Sequence, residues 1–267
     1  MNGVAEREEP VAGRVRLTIE GEVAAIVFDR PQARNAMTWQ MYRDLGEAIE
    51  RIDTTPGLRV AVLRGAGGQA FVAGTDIAQF RDFRSGEDGV AYEQGIDQCI
   101  ARLDRIAVPT LAVVEGWAVG GGLAIANACD FRIAAAGARF GVPIARTLGN
   151  CLSGANLARL ERTLGVSWVK RMTLLAEMPA AEDLAGIGYL HAIVPAEELE
   201  ATVVKLCRRI CGHAPITIAV TREALRRLGE SAVPEMADLI RRCYGSADFH
   251  RGVAAFGTGA PAQWEGR

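Results

Sequence analysis

The stretch WAVGGGLAIANACDFRIA, residues 117–134, contains three consecutive glycines between two strongly apolar runs. No charged side chain precedes Asp130 in it, so the polar atoms at the turn belong mostly to the backbone. Glycine lets a backbone approach its neighbours closely, and the first turn of a helix has N–H groups without intrahelical acceptors. The stretch predicts a strand, a glycine turn and a helix over 123–128. Its glycines leave two alternatives open: tight packing of the helix on the strand, or binding of an anionic oxygen by backbone N–H groups.

The composition is that of a globular protein with one sizeable core. The chain has 267 residues, of which 49% are hydrophobic and 23% charged, and its formal net charge is -2. A near-neutral chain lacks the basic excess of a nucleic-acid surface, so we expect no nucleic-acid partner. The first ten residues, MNGVAEREEP, are acidic and lack the apolar region of a secretory signal. We therefore expect a cytoplasmic protein whose residues 1–12 form a flexible tail.

The cysteines and histidines do not suggest a metal site or a nucleophile. The six cysteines include no CxxC pair, and the three histidines are widely spaced along the chain. The sequence contains neither a GxSxG nucleophile elbow nor an HExxH zinc motif. We expect buried reduced thiols and no metal ion.

The segment 110–129 is apolar enough to raise the alternative of a membrane span. It carries a single charge, Glu115, and has the length that a span requires. However, Glu115 and four glycines interrupt it, and a strand–turn–helix arrangement accounts for both features. We therefore expect no membrane-spanning helix.

The hydrophobic pattern divides the chain into an α/β part and a helical part. Alternating residues predict two strands within 15–28, and short apolar runs predict buried strands at 59–63 and 110–114. Apolar residues at helical spacing predict a helix over 37–52 with Thr38 as its N-cap. In the later part of the chain, apolar residues recur at helical spacing and predict five helices, at 155–164, 168–178, 196–211, 216–228 and 234–244. Gly165 is the predicted stop of the first of them. This order favours one core followed by a helical C-terminal extension.

Glycine-rich loops provide the candidate binding sites. Residues 65–70, GAGGQA, fit a variant of the dinucleotide fingerprint, but the following FVAG is a poor start for the helix that this fingerprint requires. The turn at 120–122 lacks the lysine of a P-loop. That turn and the loop AGTDI at 73–77 each follow a strand. Two N–H groups that converge on one oxygen form an oxyanion hole, in which loss of one donor costs roughly 3–4 kcal/mol.

Five segments of the chain have an order and spacing that a known family shares. They are DRPQARNAM (29–37), FVAGTDI (71–77), EGWAVGGGLAIANACDFRIA (115–134), FGVPIARTLG (140–149) and SADFHRGVAAF (246–256). Together they resemble the crotonase superfamily, the enoyl-CoA hydratase/isomerase group. The resemblance implies an α/β fold with a crotonase-like spiral of ββα units over residues 13–195 and a helical C-terminal trimerisation region over residues 196–267. It also implies a homotrimer or a dimer of trimers.

The resemblance further implies an acyl-CoA thioester as the substrate, in fatty acid metabolism, with CoA as part of the substrate and no separate cofactor. In this family two backbone N–H groups bind the thioester carbonyl oxygen, so that a thioester enolate is stabilised. By position, the resemblance assigns these donors to Thr75 and Gly121. It places the CoA moiety along residues of the first two segments: Ala33, Arg34, Ala73, Asp76 and Ile77.

The chain departs from the family where the hydratases carry their acid and base. The two glutamates of a hydratase would fall at Ala124 and Ile144, and the aspartate of some relatives would fall near Ser153. Hydration requires one group to activate water and one to protonate the α-carbon, and each contributes ~10²–10⁴-fold. Local polar residues that could replace the missing carboxylates are Asp76, Arg146, Asn150 and Ser153.

We therefore expect an enzyme of the enoyl-CoA hydratase/isomerase family, a lyase or an isomerase, that forms a thioester enolate but hydrates poorly. Decarboxylation of an acyl-CoA is one reaction that needs no base, because loss of CO₂ itself generates the enolate. The alternative is a catalytically silent acyl-CoA-binding homologue, or a subunit that supports an active partner.

Overall fold

The chain is built around two sheets, which a computed structural model describes over residues 13–229, 237–256 and 258. The predicted tail at 1–12 and the predicted helix start at 234 lie outside the described residues. The described strands are β1 (Arg14–Glu20), β2 (Val23–Asp29), β3 (Val60–Gly65), β4 (Ala70–Val72), β5 (Thr110–Val114), β6 (Trp117–Val119), β7 (Phe131–Ala135), β8 (Arg139–Gly141) and β9 (Ala192–Val194).

The helices surround these strands on several sides. The described α-helices are α1 (Trp39–Thr54), α2 (Gly86–Arg105), α3 (Gly121–Ala128), α4 (Ile144–Thr147), α5 (Gly154–Leu174), α6 (Leu199–Cys211), α7 (Pro215–Gly229), α8 (Ala237–Tyr244) and α9 (Ala247–Ala255). Short 3-10 helices occupy Pro31–Ala33, Ile77–Asp82, Ala181–Ile187 and Ala196–Glu198.

The strands alternate between a six-stranded sheet and a three-stranded sheet. The larger sheet has the order β1-β2-β3-β5-β7-β9, and all its pairs are parallel except β1–β2. The smaller sheet, β4-β6-β8, is parallel throughout. After β3, β5 and β7 in turn, the chain forms one strand of the smaller sheet and then a helix. This repeat confirms the predicted α/β spiral of ββα units.

Strands in the middle of the larger sheet are buried on both faces. In β3, Ala61 and Leu63 belong to the main hydrophobic core, whereas Val60 and Val62 belong to a second core under α6. Since both faces are covered, these strands have no reason to alternate between apolar and polar residues. The residues of α6 that cover this face are Leu199, Val203, Leu206, Cys207 and Ile210.

The register of the smaller sheet brings the two glycine-containing loops side by side. Val72 at the end of β4 is paired with Ala118 in β6. Thr75 and Gly121 each follow this pair by three residues, in the segments after β4 and β6. They therefore lie at the same level at the end of the sheet. Because β8 is paired in parallel on the other side of β6, the segment that follows β8 reaches the same edge. Three connections thus meet at one end of this sheet.

The three consecutive glycines have separate structural reasons. Gly120 has φ 52° and ψ -116°, a backbone conformation that residues with a side chain avoid. Gly122 packs α3 against β4, because a Cβ at this position would lie 2.0 Å from the carbonyl oxygen of Val72. Gly121 begins α3 beside Thr75. Tight packing therefore accounts for Gly122, and at Gly121 a Cβ would lie 2.7 Å from the Tyr42 hydroxyl.

Most of the predicted elements are confirmed. The strand at 110–114 has the predicted bounds, and the Thr38 hydroxyl caps α1 by accepting a hydrogen bond from the Met41 N–H at 3.2 Å. Gly165, with φ 77°, interrupts α5 at the predicted stop. The apolar segment 110–129 contains β5, β6 and α3, as the strand–turn–helix interpretation requires. Within the described ranges, no helix is both long enough and apolar enough to cross a bilayer.

Helix α2 is absent from the sequence-based predictions. Its start carries a capping box, in which the Asp88 carboxylate accepts a hydrogen bond from the Ser85 N–H at 2.8 Å. Its three glycines lower helix propensity and obscure the apolar periodicity. The periodic signal is nevertheless present in its buried face, which contains Val90, Glu93, Ile96, Ile100 and Leu103.

Two glycine substitutions test how closely α3 packs on β4. Gly122→Ala should lower the free energy of unfolding by about 3 kcal/mol, because the new methyl group would overlap a backbone oxygen. Gly95→Ala, at an exposed position of α2 with open space around the new Cβ, should raise that free energy by about 0.5–1 kcal/mol. Urea denaturation measures both values, and equal effects of the two substitutions would contradict the close packing.

Candidate functional site

Two backbone N–H groups lie next to each other at the edge of the smaller sheet. A Cβ built on Gly121 would lie 4.0 Å from the Thr75 nitrogen, so the two backbones are close neighbours. No acceptor among the described residues takes a hydrogen bond from either N–H group. Both residues line the same cavity. The two donors are therefore available to an oxygen atom inside it.

Two tyrosines anchor the side chain of Thr75. Its Oγ1 lies 2.8 Å from the hydroxyl of Tyr42 and 2.8 Å from that of Tyr92. Burial raises the pKa of both tyrosine hydroxyls well above its ordinary value, so both stay protonated. A Cβ on Gly121 would lie 2.7 Å from the Tyr42 hydroxyl, so the same tyrosine also limits this position to glycine. The tyrosine pair thus fixes the two loops relative to each other.

The loop at 73–76 is also bonded to the segment at 34–37. The Ala73 N–H donates to the Arg34 carbonyl oxygen at 3.1 Å. Met37 donates to the Gly74 carbonyl at 2.8 Å and accepts from the Asp76 N–H at 2.8 Å. The first two sequence segments of the resemblance are therefore neighbours in space.

The buried side chain of Asn35 stabilises the first of these segments through hydrogen bonds to the backbone. It is fully buried and has φ 57°. Its Oδ1 accepts from the Arg30 N–H at 2.9 Å, and its Nδ2 donates to the carbonyl oxygens of Ala66 and Ala70 at 2.9 and 2.8 Å. The Oδ1 bond lies within the first segment, and the Nδ2 bonds tie that segment to residues 66–70, which lead into the second.

A cavity of about 170 Å³ adjoins the two N–H groups. Ala124 and Ile144, the positions at which the family's hydratases carry glutamates, both line it, as do the CoA-binding candidates Ala73 and Ile77. Cavities for drug-sized ligands measure roughly 300–1,000 Å³, so this one suits a short acyl group. Other apolar parts of its wall are Ile96, Leu148 and Leu152.

The polar residues predicted as substitutes for the glutamates are placed differently. Asn150 lines the cavity. Asp76 is paired with Arg30 at 2.7 Å and caps the following 3-10 helix by accepting from the Ala78 N–H at 3.0 Å. Arg146 is exposed. Neither Asp76 nor Arg146 is among the described residues that line the cavity. The structure therefore brings Asn150 to the cavity and uses Asp76 for holding the loop.

Ser153 is buried and organises two carboxyl groups. Its N–H donates to Glu93 Oε2 at 2.9 Å, and its hydroxyl donates to Asp97 Oδ1 at 2.6 Å. Its Oγ also caps α5 by accepting from the Asn156 N–H at 3.1 Å. Burial raises the pKa of Asp97 above its ordinary value. Ser153 acts as a positioning residue for these groups.

Glu93 supplies a carboxyl group to the described wall of the cavity. It is 3% exposed, and its Oε1 accepts a hydrogen bond from the Tyr244 hydroxyl at 2.6 Å. Burial raises the pKa of Glu93 to about 8, although the hydrogen bonds from Tyr244 and Ser153 act in the opposite direction. Near neutral pH the side chain is therefore mainly protonated. It can deliver a proton into the cavity and can take one up at higher pH.

The sequence-based predictions missed Glu93 because they missed α2. The available signal was a glutamate on the apolar face of a helix, between Val90 and Ile96. Its partner Tyr244 lies more than a hundred residues away in α8, and no local pattern connects the two. Gly89 makes the contact possible, since a Cβ there would lie 2.1 Å from the Tyr244 ring.

Comparison with known proteins agrees with the resemblance of the motifs. The family model for enoyl-CoA hydratase/isomerase matches residues 18–267. A short-chain-enoyl-CoA hydratase from Clostridium acetobutylicum is 29% identical over 246 residues, which cover 91% of this chain and 94% of that protein. A carnitinyl-CoA dehydratase from Escherichia coli O157:H7 is 31% identical over 266 residues, which cover 95% of this chain and 98% of that protein.

Solved structures with the same fold include proteins with other named reactions. A methylmalonyl-CoA decarboxylase in complex with 2-nitronate-propionyl-CoA superposes with a TM-score of 0.87 at 27% sequence identity. The superposition covers 95% of this chain and 99% of that one. Similar chains thus carry hydratase, dehydratase and decarboxylase names, and the reaction of this chain depends on the side chains of its own cavity.

The buried carboxyl group makes a pH-dependent contribution to stability. Its pKa is about 8 in the folded chain against an ordinary value of 4.5, so between these values the folded state retains a proton that the unfolded state releases. The free energy of unfolding should therefore fall by about 2 kcal/mol or more as the pH rises from 4.5 to 8. Glu93→Gln cannot titrate, so in this variant the decline should be much smaller.

Asp88→Asn, on the same helix, is a contrasting control for this experiment. The Arg84 and Ser85 N–H groups lower the pKa of Asp88, so its contribution is present at neutral pH and is lost as the pH falls. Urea denaturation at several pH values measures how the free energy of unfolding of each variant changes with pH. A Glu93→Gln variant with the full wild-type decline would contradict the protonated state of Glu93.

Proposed function

The chain belongs to the enoyl-CoA hydratase/isomerase family, and we propose that it binds an acyl-CoA thioester with the carbonyl oxygen between the N–H groups of Thr75 and Gly121. The proposal is carried by one observation, the proximity of these two unpaired N–H groups at the wall of the cavity. Donors that are fixed in advance stabilise the negative charge that develops on the oxygen when a thioester becomes an enolate. The chain is accordingly an enzyme that forms a thioester enolate.

Ordinary hydration of an enoyl-CoA is not the reaction that this cavity favours. Hydration uses one group to activate water and another to protonate the α-carbon. Ala124 and Ile144 offer neither, and Glu93 is the carboxyl group among the described residues of the wall. Since each missing group is worth ~10²–10⁴-fold, hydration should be slow.

Glu93 is proposed to act on the α-carbon in this site. In its protonated form it gives a proton to the α-carbon of the enolate, and in its ionised form it removes one. Tyr244 and Ser153 hold its two oxygens at 2.6 and 2.9 Å, so the carboxyl group is oriented before the substrate arrives. One group that moves one proton is sufficient for exchange at the α-carbon, because that reaction needs no activated water.

Decarboxylation of a 2-carboxyacyl thioester is the second candidate. The C–C bond to the carboxylate breaks and CO₂ leaves, and the electron pair moves through the α-carbon to the thioester oxygen between Thr75 and Gly121. Glu93 then protonates the α-carbon and is itself reprotonated by solvent. The described wall carries no lysine, arginine or histidine that would stabilise the starting carboxylate, which favours its loss.

The remaining parts of the proposal concern CoA and self-association. The CoA moiety is proposed to lie along Ala33, Arg34, Ala73, Asp76 and Ile77, with no separate cofactor. A homotrimer or dimer of trimers stays a prediction. It is supported by the exposed apolar residues of α7, which are Ile216, Val220, Leu225 and Leu228.

Exchange of α-protons tests the proposed function directly. In D₂O the protein should incorporate deuterium at the α-carbon of butanoyl-CoA, at a rate that rises with pH and levels off above about 8 as Glu93 ionises. Glu93→Gln should lower this rate by ~10²-fold or more. Mass spectrometry of the thioester measures the exchange, and a 2-carboxyacyl thioester in the same panel reports decarboxylation through its loss of CO₂.

Crotonyl-CoA provides the comparison with hydration. The protein should hydrate it far more slowly than a hydratase with both glutamates, by ~10²–10⁴-fold for each missing group. Hydration at an ordinary kcat would contradict the argument from Ala124 and Ile144. Failure of every CoA thioester to bind would contradict the proposed function as a whole.

A further inference from the structure

Two cysteine thiols contact each other close to the carboxyl group of Glu93. The thiols of Cys151 and Cys243 are hydrogen-bonded to each other, although the two residues lie far apart in the chain. The Cys243 thiol also donates to the Gly149 carbonyl oxygen at 3.2 Å, so α8 is held against the segment that precedes α5. Both thiols are free and only partly buried, and both pack against the same hydrophobic cluster. Two free thiols in contact are the starting arrangement for a disulfide bond.

Cys243 is the more reactive thiol of this pair. It accepts a hydrogen bond from the Cys151 thiol, and this bond lowers the pKa of Cys243. By contrast, Cys99 and Cys129 are buried, which raises the pKa of their thiols to about 11 and about 12. Because the thiolate is the form that attacks an oxidant, Cys243 reacts first.

The thiol pair adjoins both residues that hold Glu93. Cys243 immediately precedes Tyr244, whose hydroxyl donates to Glu93 Oε1 at 2.6 Å. Cys151 lies two residues before Ser153, whose N–H donates to Glu93 Oε2 at 2.9 Å. The Tyr244 hydroxyl also lies 3.5 Å from the Cys151 carbonyl oxygen. A bond between the two sulfurs would therefore join the two segments that orient the Glu93 carboxyl group.

We propose that hydrogen peroxide converts Cys151 and Cys243 into a reversible disulfide, and that this bond slows proton transfer by Glu93. The effect on Glu93 rests on the proposed function, because it concerns the same carboxyl group. The disulfide itself does not depend on that function.

The oxidation is balanced by the peroxide alone. The Cys243 thiolate attacks one peroxide oxygen, so that the O–O bond breaks, hydroxide leaves and a sulfenic acid forms. Cys151 sulfur then attacks the sulfenic sulfur, the S–S bond forms, the S–O bond breaks and water leaves. The two sulfurs lose two electrons to the peroxide, and both thiol protons end in water. Two thiols and one peroxide thus give one disulfide and two water molecules.

The bond changes the surroundings of Glu93 in two ways. A covalent bond draws the two sulfurs closer together than their hydrogen bond does. Cys243 also gives up its proton, and with it the hydrogen bond to the Gly149 carbonyl oxygen. Helix α8 and the segment at 149–153 therefore shift relative to each other, which displaces Tyr244 and Ser153 at the carboxyl group. Displacement of a reacting group by about 1 Å can slow a reaction by ~10²-fold.

Peroxide treatment of the reduced protein tests both parts of the proposal. Mass spectrometry of the digested protein, with its remaining thiols alkylated, should show a peptide pair that links Cys151 to Cys243. Exchange of the α-protons of butanoyl-CoA in D₂O, measured on the same samples, should be roughly ten- to hundredfold slower in the linked protein. Dithiothreitol should remove the linkage and restore the rate.

Serine variants assign the effect to this pair. In Cys151→Ser and in Cys243→Ser the linked peptides and the reversible slowing should both be absent. The double variant Cys207→Ser/Cys211→Ser is the matched control, because these two cysteines also lie close together but line a groove along α6 and the larger sheet. This control should keep the linkage and the slowing. If neither single variant folds, the linked peptides of the wild-type protein still decide.

The outcomes separate the disulfide from the proposed function. Peroxide that leaves both thiols free, or oxidises them without linking them, would overturn the proposal. A linked protein that exchanges α-protons at the reduced rate would overturn the effect on Glu93. Reversible slowing that persists in both single variants would overturn the assignment to this pair. A reduced protein that exchanges no α-protons would overturn the proposed function, whereas the linked peptides would still report the disulfide.

Discussion

The parallel register of the smaller sheet is the constraint on which the rest of the site depends. Val72 is paired with Ala118, and this pairing places Thr75 beside Gly121. The register is maintained by a contact that only glycine allows, since Gly122 brings α3 against the backbone of β4. A shift of one residue would separate the two N–H groups. The larger sheet supports this arrangement by supplying a strand before each strand of the smaller sheet.

The same architecture separates two kinds of electrostatic environment. At the strand ends, the N–H groups of Thr75 and Gly121 are proposed to stabilise the negative charge that develops on a thioester oxygen. Glu93 on α2 is 3% exposed and is hydrogen-bonded by Tyr244 and Ser153, and burial raises the pKa of its carboxyl group to about 8. In the proposed reaction, the groups that stabilise negative charge and the group that moves a proton therefore come from different elements of the fold, the strand ends and α2. The site owes this separation to packing between α2 and α8, which lie far apart in the chain.

The local parts of this account could be predicted from the sequence, and the long-range parts could not. The turn at 120–122 follows a strand and has no side chains, so its backbone was the evident candidate for binding, and the loop at 73–77 follows a strand in the same way. Asp76 was a plausible base by position, but its ion pair with Arg30 is visible only in three dimensions. Glu93 escaped prediction because glycines obscure the helix that carries it.

The N–H groups of Thr75 and Gly121 are proposed to hold the carbonyl oxygen of a thioester. Infrared difference spectroscopy of a bound thioester with a ¹³C-labelled carbonyl measures this contact at the bond concerned. Two hydrogen bonds in a water-excluded site polarise the carbonyl, so its stretching frequency should fall below the value in water. Gly121→Ala, whose Cβ would lie 2.7 Å from the Tyr42 hydroxyl, should weaken the shift. A bound carbonyl that absorbs at or above its frequency in water would contradict the claim.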